Sequence, residues 1–65
     1  MKIIDVYKNQ FEQFYKNVCV FPRELIHEAV TEELMQLNYV MEEPWEVYCI
    51  TPLGRCVFER KYLTK

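Results

Sequence analysis

The stretch Trp45-Glu46-Val47-Tyr48-Cys49-Ile50-Thr51-Pro52-Leu53-Gly54-Arg55 decides how this chain folds. Its first half is apolar, β-branched and aromatic, the composition of a strand. Thr51 is a good helix N-cap, and Pro52 stands at the first helical position, where its missing N–H is no loss. A strand therefore stops and a helix starts with no loop between them. Gly54 is the sole glycine in the chain. In a first helical turn it costs about 1 kcal/mol against Ala, so a side chain there is expected to strike the hairpin or the preceding helix.

Upstream, Tyr39-Val40-Met41 is a short strand candidate and Glu42-Glu43-Pro44 a turn, Pro44 supplying the fixed φ. Trp45 to Thr51 is the returning strand of a hairpin. Val47, Cys49 and Thr51 share one face, and Glu46, Tyr48 and Ile50 the other. A two-stranded hairpin is marginal alone and must lie against helices. Residues 52–62 continue as the last helix, fraying into Thr64 and Lys65.

Further upstream, Ile4, Tyr7, Phe11, Phe14 and Val18 recur at spacings of 3, 4, 3 and 4, one stripe on a helix over residues 4–18. Tyr15 widens that stripe, which serves a core or a dimer contact. Lys8, Glu12 and Lys16 fall on another face at spacing four. Val18 to Phe21 is an apolar, β-prone link. Residues 22–37 read as helical, with Ile26, Val30, Leu34 and Leu37 in one stripe and Leu25, Ala29 and Met35 at its edges. Thr31, followed by Glu32 and Glu33, is a possible second N-cap. The segment is thus one bent helix or two joined near Ala29–Val30, and Asn38 can take the left-handed conformation that ends it.

Sixty-five residues make one domain. So short a chain hides only about 60% of the surface its unfolded form exposes, yet its apolar content is 51%, with five Tyr, four Phe and one Trp. An exposed apolar face, covered by a second copy or another protein, is therefore expected. Three cysteines, Cys19, Cys49 and Cys56, are an odd number, which argues against a disulfide framework and fits a reducing cytoplasm. Cys19 and Cys49, among apolar neighbours, read as small core fillers. No apolar run reaches the length of a membrane span, and the N-terminus lacks the apolar core of a signal peptide.

The net charge of −2 is unevenly spread. Residues 1–18 carry three Lys against Asp5 and Glu12. Residues 23–37 carry Arg23 against Glu24, Glu28, Glu32 and Glu33. Residues 42–46 carry three Glu, and residues 55–65 carry Arg55, Arg60, Lys61 and Lys65 against Glu59. The middle is acidic and the tail basic.

Little points to catalysis. His27 is the sole histidine, no Cys-x-x-Cys pair exists, and one glycine cannot build a phosphate loop. A Cys–His nucleophile pair has no orienting group or oxyanion hole to work with. So small a chain has little room for a substrate pocket. The reading is a non-enzyme with no cofactor, no metal site and no small-molecule substrate.

The order helix, helix (single or split), strand, strand, helix resembles winged helix–turn–helix domains over residues 25–62, most closely at Thr51–Arg55. Leu34-Met35-Gln36-Leu37-Asn38-Tyr39-Val40 looks like the end of a recognition helix running into the wing, although Asn38 stands where Gly is usual. The resemblance implies a mainly α, winged-helix-like fold with a small β-hairpin and a DNA-associated regulatory role. The surface that would read DNA departs from it. Thr31, Glu32, Glu33 and Gln36 replace the basic and amide side chains a recognition helix needs, and an acidic wing would repel phosphate.

Two roles follow. The first is a dimeric, cytoplasmic DNA-associated regulator that holds double-stranded DNA through phosphate contacts from Arg55, Arg60 and Lys61. The second is a protein-interaction module whose acidic middle engages a basic partner or mimics nucleic acid. Trp45 and Tyr48 are its expected anchors, with Phe11 and Phe14 on the helix that would form a homodimer.

Overall fold

The computed structural model describes residues 3–64. Helix α1 spans Ile3–Lys16, with Glu12 and Lys16 at 4.0 Å on its solvent side. Its stripe is the spine of the core: Phe11 and Phe14 are fully buried. Around Phe11 stand the rings of Tyr7, Tyr39, Phe58 and Tyr62, with Tyr39 stacked at 5.7 Å and Phe58 edge-on at 5.2 Å. Val20, Val30, Leu34 and Val40 complete the buried cluster. The expected stripe is longer than the core, since Ile4 and Val18 at its two ends are exposed.

The apolar link after α1 becomes a third strand. Strand β1, Cys19–Val20, pairs antiparallel with β3, Val47–Ile50, which also pairs with β2, Val40–Glu43. The order is β1-β3-β2, so the hairpin expected from sequence is two-thirds of a small sheet. Tyr48 and Ile50 face the core, while Cys49 points outward. The hairpin turn is not Glu42–Pro44. Glu43 still pairs with Val47, which leaves Pro44, Trp45 and Glu46 as a three-residue loop. Glu46 takes the left-handed conformation, φ 58°, as the last residue of such loops commonly does. Trp45 therefore belongs to the turn and not to the returning strand.

Residues 22–37 split, though not at Ala29–Val30. Pro22–Glu24 is one 3-10 turn, Leu25 is extended, and helix α2 spans Glu28–Gln36. His27 is the N-cap, its Nδ1 accepting from the Val30 N–H at 3.3 Å. Thr31 is not a cap: it is buried inside α2, its hydroxyl donating to the His27 carbonyl at 3.0 Å. The break is made by α1. Gln10 Oε1 accepts from the His27 N–H at 2.6 Å, and Gln13 Nε2 donates to the Glu24 carbonyl at 2.6 Å. These bonds flank residues 25–27, which lie outside both helical segments. They also narrow the α2 stripe to Val30 and Leu34, leaving Ile26 and Leu37 exposed.

Helix α2 ends as expected at Asn38, φ 64°. The Tyr39 N–H reaches the Leu34 carbonyl at 2.9 Å and the Asn38 N–H the Met35 carbonyl at 3.0 Å, the paired bonds of a Schellman close. Helix α3, Pro52–Phe58, opens on Thr51, whose hydroxyl oxygen accepts from the Gly54 N–H at 2.9 Å. That hydroxyl also donates to the Asn38 carbonyl at 2.6 Å, so the end of α2 and the start of α3 are one joint. A Cβ on Gly54 would run into the Tyr39 carbonyl oxygen and sit 2.7 Å from its carbon. The last helix does not stay α-helical to residue 62: Glu59–Leu63 is a π-helical turn, and Tyr62 on it meets Phe58 at 4.9 Å. The result is a mostly helical chain with a small three-stranded antiparallel sheet, compatible with a winged-helix-like arrangement.

Candidate binding surfaces

The four expected interface residues separate. Phe11 and Phe14 are wholly internal, which corrects their assignment to a partner contact: the aromatic stripe of α1 is consumed by this chain's own sheet and α3. Tyr48 is half-buried, edge-on to Phe14 at 6.5 Å. Trp45 is 85% exposed.

Trp45 and Tyr48 nevertheless border one continuous surface. A shallow depression is lined by Phe21, Pro22, Arg23, Trp45 and Glu46. A second, sharing Pro22, is lined by Leu25, Glu28, Thr31, Glu32, Met35 and Tyr48. They meet at Pro22 and make one shallow groove whose lining mixes apolar side chains with Glu28, Glu32 and Glu46. The sequence between Glu24 and Gly54 contains Glu28, Glu32, Glu33, Glu42, Glu43 and Glu46 but no Lys or Arg. Glu28, Glu32, Glu33, Glu42 and Glu46 are exposed. One cation touches the groove, Arg23, with its guanidinium 5.6 Å from the Phe21 ring centre. Phe21, exposed and lining the same depression as Trp45, was not singled out from the sequence; its place in a β-prone link and ahead of a Pro was the available signal.

The basic side chains lie elsewhere, along α1 and the last helix. Arg55 stands over Tyr15 at 5.9 Å, Lys61 over Tyr7 and Tyr62 at 5.1 and 5.4 Å, and Lys8 over Tyr62 at 5.7 Å. Arg60 is exposed, while Lys2 and Lys65 lie outside the described residues. Carboxylates are interleaved with these cations. Tyr15 donates to Glu59 Oε2 at 2.7 Å, and that bond, more than its burial, raises the Tyr15 pKa. Glu33 borders a shallow depression with Ile4, Tyr7 and Lys61. The Tyr7 phenol is pushed up chiefly by burial, then by the Glu33 charge.

Cys19 and Cys49 are not core fillers. Cys19 is exposed and Cys49 half-buried, because the outward face of β3 is open to solvent. They are register partners across β1 and β3, their Sγ atoms 2.7 Å apart.

Among the described residues no set of three His, Cys, Asp or Glu side chains is placed to hold a metal ion, and no helix is long and apolar enough to cross a membrane. No protein family, curated protein or solved structure matches the chain.

Proposed function

We propose that this chain is a non-enzymatic, cytoplasmic protein-interaction module on a winged-helix-like scaffold, and that its groove takes a basic amphipathic segment of another protein. The observation that carries this reading is the lining of the groove: Trp45, Phe21, Leu25, Met35 and Tyr48 stand there together with Glu28, Glu32 and Glu46. Large aromatic side chains in a central pocket dominate interface energies, and opposite charge across an interface steers encounter. A second copy using the same groove would set carboxylates against carboxylates, so the favoured occupant is a different, basic protein.

Trp45 is the sole tryptophan and reports directly on the groove. Titration with a Lys/Arg-rich amphipathic peptide should shift its emission to the blue, with affinity falling as salt rises; an acidic peptide of equal hydrophobicity should not bind. Trp45→Ala should weaken calorimetric binding by about 2 kcal/mol, roughly thirtyfold, with an unchanged circular dichroism spectrum because the ring lies outside the core. Equal binding of the basic and acidic peptides would sink the reading. Sedimentation showing self-association that Trp45→Ala removes would put a second copy in the groove instead.

The cation–aromatic seam of Arg55, Lys61 and Lys8 favours a second reading, the DNA-associated regulator. In that case a labelled duplex binds with a steep salt dependence, and Arg55→Ala weakens all sequences alike and flattens the salt slope by about one unit. Arg60→Ala and Lys61→Ala would do the same. Absence of binding at low salt would retire it. The interleaved Glu33 and Glu59 place this reading second.

A further inference from the structure

We propose that Cys19 and Cys49 are a reversible oxidation site, closing into a disulfide across β1 and β3 when they meet a disulfide-class oxidant such as oxidised glutathione. The geometry points there. The two residues are direct partners in an antiparallel ladder, and their sulfurs stand 2.7 Å apart, well inside the contact distance of two unbonded sulfur atoms. Closing the bond requires a contraction of under 1 Å to the disulfide length of about 2.05 Å. The pair lies on the open face of the sheet, where Cys19 is exposed and an oxidant can reach it.

The two thiols differ in exposure, Cys49 being half-buried. Cys49 holds its proton up to about pH 11, first because it is partly buried and then because of its hydrogen bond with Cys19. Cys19 is the exposed member of the pair, so an oxidant meets it first and it is the attacking sulfur. It gives its proton to solvent and attacks one sulfur of oxidised glutathione. The glutathione S–S bond breaks, and the departing thiolate takes up a proton. Cys49 then loses its proton to solvent and attacks Cys19 Sγ in the mixed disulfide, expelling the second glutathione, which is protonated in turn. Two protein thiols are oxidised and one glutathione disulfide is reduced to two thiols, with no proton left over. Thiol–disulfide exchange of this kind runs through a mixed disulfide in general, and exposed bridges are the readily reversed class.

The bridge would matter to the fold because β1 is only two residues long. It leads directly into Phe21 and Pro22, so a covalent tie to β3 holds that wall of the groove against the hairpin. Two sulfurs do not make a closed zinc site, which needs four ligands. Cys56, exposed on α3, serves as an internal control.

The test equilibrates the reduced chain in buffers of increasing oxidised-to-reduced glutathione ratio. Glutathione is preferred to peroxide, because Met41, the β2 partner of Cys49, would also oxidise at its thioether. Expected are joint loss of the Cys19 and Cys49 thiols, a chain two hydrogens lighter apart from any glutathione carried on the exposed Cys56, a peptide map joining Cys19 to Cys49, and a melting temperature higher by on the order of 10 °C, all reversed by dithiothreitol. Cys19→Ser and Cys49→Ser should each abolish the link, whereas Cys56→Ser should keep it. Circular dichroism confirms that each variant is folded; Cys19, on the surface, tolerates the change. Three thiols remaining under excess oxidant would overturn the proposal. So would a glutathione adduct persisting on Cys19 with no internal link, or a link that runs through Cys56.

Discussion

Gly54 and Thr51 hold the chain at its tightest point, and each does so through one or two atoms. The Gly54 Cα lies against the Tyr39 backbone, where a Cβ would meet the carbonyl oxygen and sit 2.8 Å from the Tyr39 Cα. Backbone on both sides gives neither partner a rotamer to escape into. Gly54→Ala should therefore destabilise by about 3 kcal/mol or more, despite Ala's better helix propensity; urea unfolding followed by circular dichroism measures it, and a stability within 1 kcal/mol of the parent would show that the joint yields. Thr51 works from the other side, accepting from Gly54 and donating to Asn38 through one buried hydroxyl. Thr51→Ala loses both bonds and should cost about 2 kcal/mol, while Thr51→Ser keeps the hydroxyl and most of the stability. A serine variant as weak as the alanine one would assign the effect to the lost methyl packing. This joint was legible in the sequence: a capping residue, a Pro, and one costly glycine in fixed order have few other physical explanations.

At the scale of elements, two glutamines of α1 place the break before α2. Gln10 is fully buried, accepting from His27 and donating from Nε2 to Gln13 Oε1 at 2.7 Å, and Gln13 carries the link on to Glu24. Gln10→Leu would bury a nearly matched volume and leave the His27 N–H without its partner, at a cost of about 1–3 kcal/mol. The expected outcome is a lower urea midpoint together with faster amide exchange over residues 24–30; a lower midpoint with unchanged exchange there would mean that Gln10 packs without positioning α2. Local pattern could not locate this break. Thr31 followed by two carboxylates is as good a start signal as many real caps, and only a bond from seventeen residues away decides that His27 takes the role. One sign was present: Gln10 falls within the apolar stripe of α1, between Tyr7 and Phe14 at helical spacing, where a polar residue needs a partner. The same distinction governs the candidate site. Trp45 and Tyr48 stood out in the sequence as aromatic residues of the hairpin, but Trp45's exposure depends on the three-residue loop. For Phe11 and Phe14 the sequence left core and dimer contact both open, because a stripe on a helix does not show what will cover it. The pairing of Cys19 with Cys49 is a matter of register across thirty residues, which no local window contains.

Across the whole molecule, its behaviour in alkali follows from groups that the fold keeps protonated. Burial, and then the Glu33 charge, raise the Tyr7 pKa above its ordinary 10.0; Cys49 rises from 9.0 to about 11. In both cases the folded chain holds a proton that the unfolded chain releases sooner. Above the unfolded values the folded state therefore binds more protons, and stability must fall as pH rises. The contribution is fully present below about pH 9 for the thiol and below about pH 10 for the phenol. It is lost as pH climbs through about 11 for Cys49 and through the raised Tyr7 value. Tyr7→Phe removes the ionising hydroxyl and keeps a ring edge-on to Phe11, which Tyr7 now meets at 6.1 Å. Under reducing conditions its urea midpoint should match the parent's near neutral pH and decline less steeply above pH 10. Cys49→Ser should soften the loss earlier, from about pH 9. The two effects should add, because the groups sit on α1 and β3 with no shared partner. Parallel decline of the parent and Tyr7→Phe through pH 11 would show that the phenol is as free in the folded chain as in the unfolded one, and that the ring cluster around Phe11 admits water.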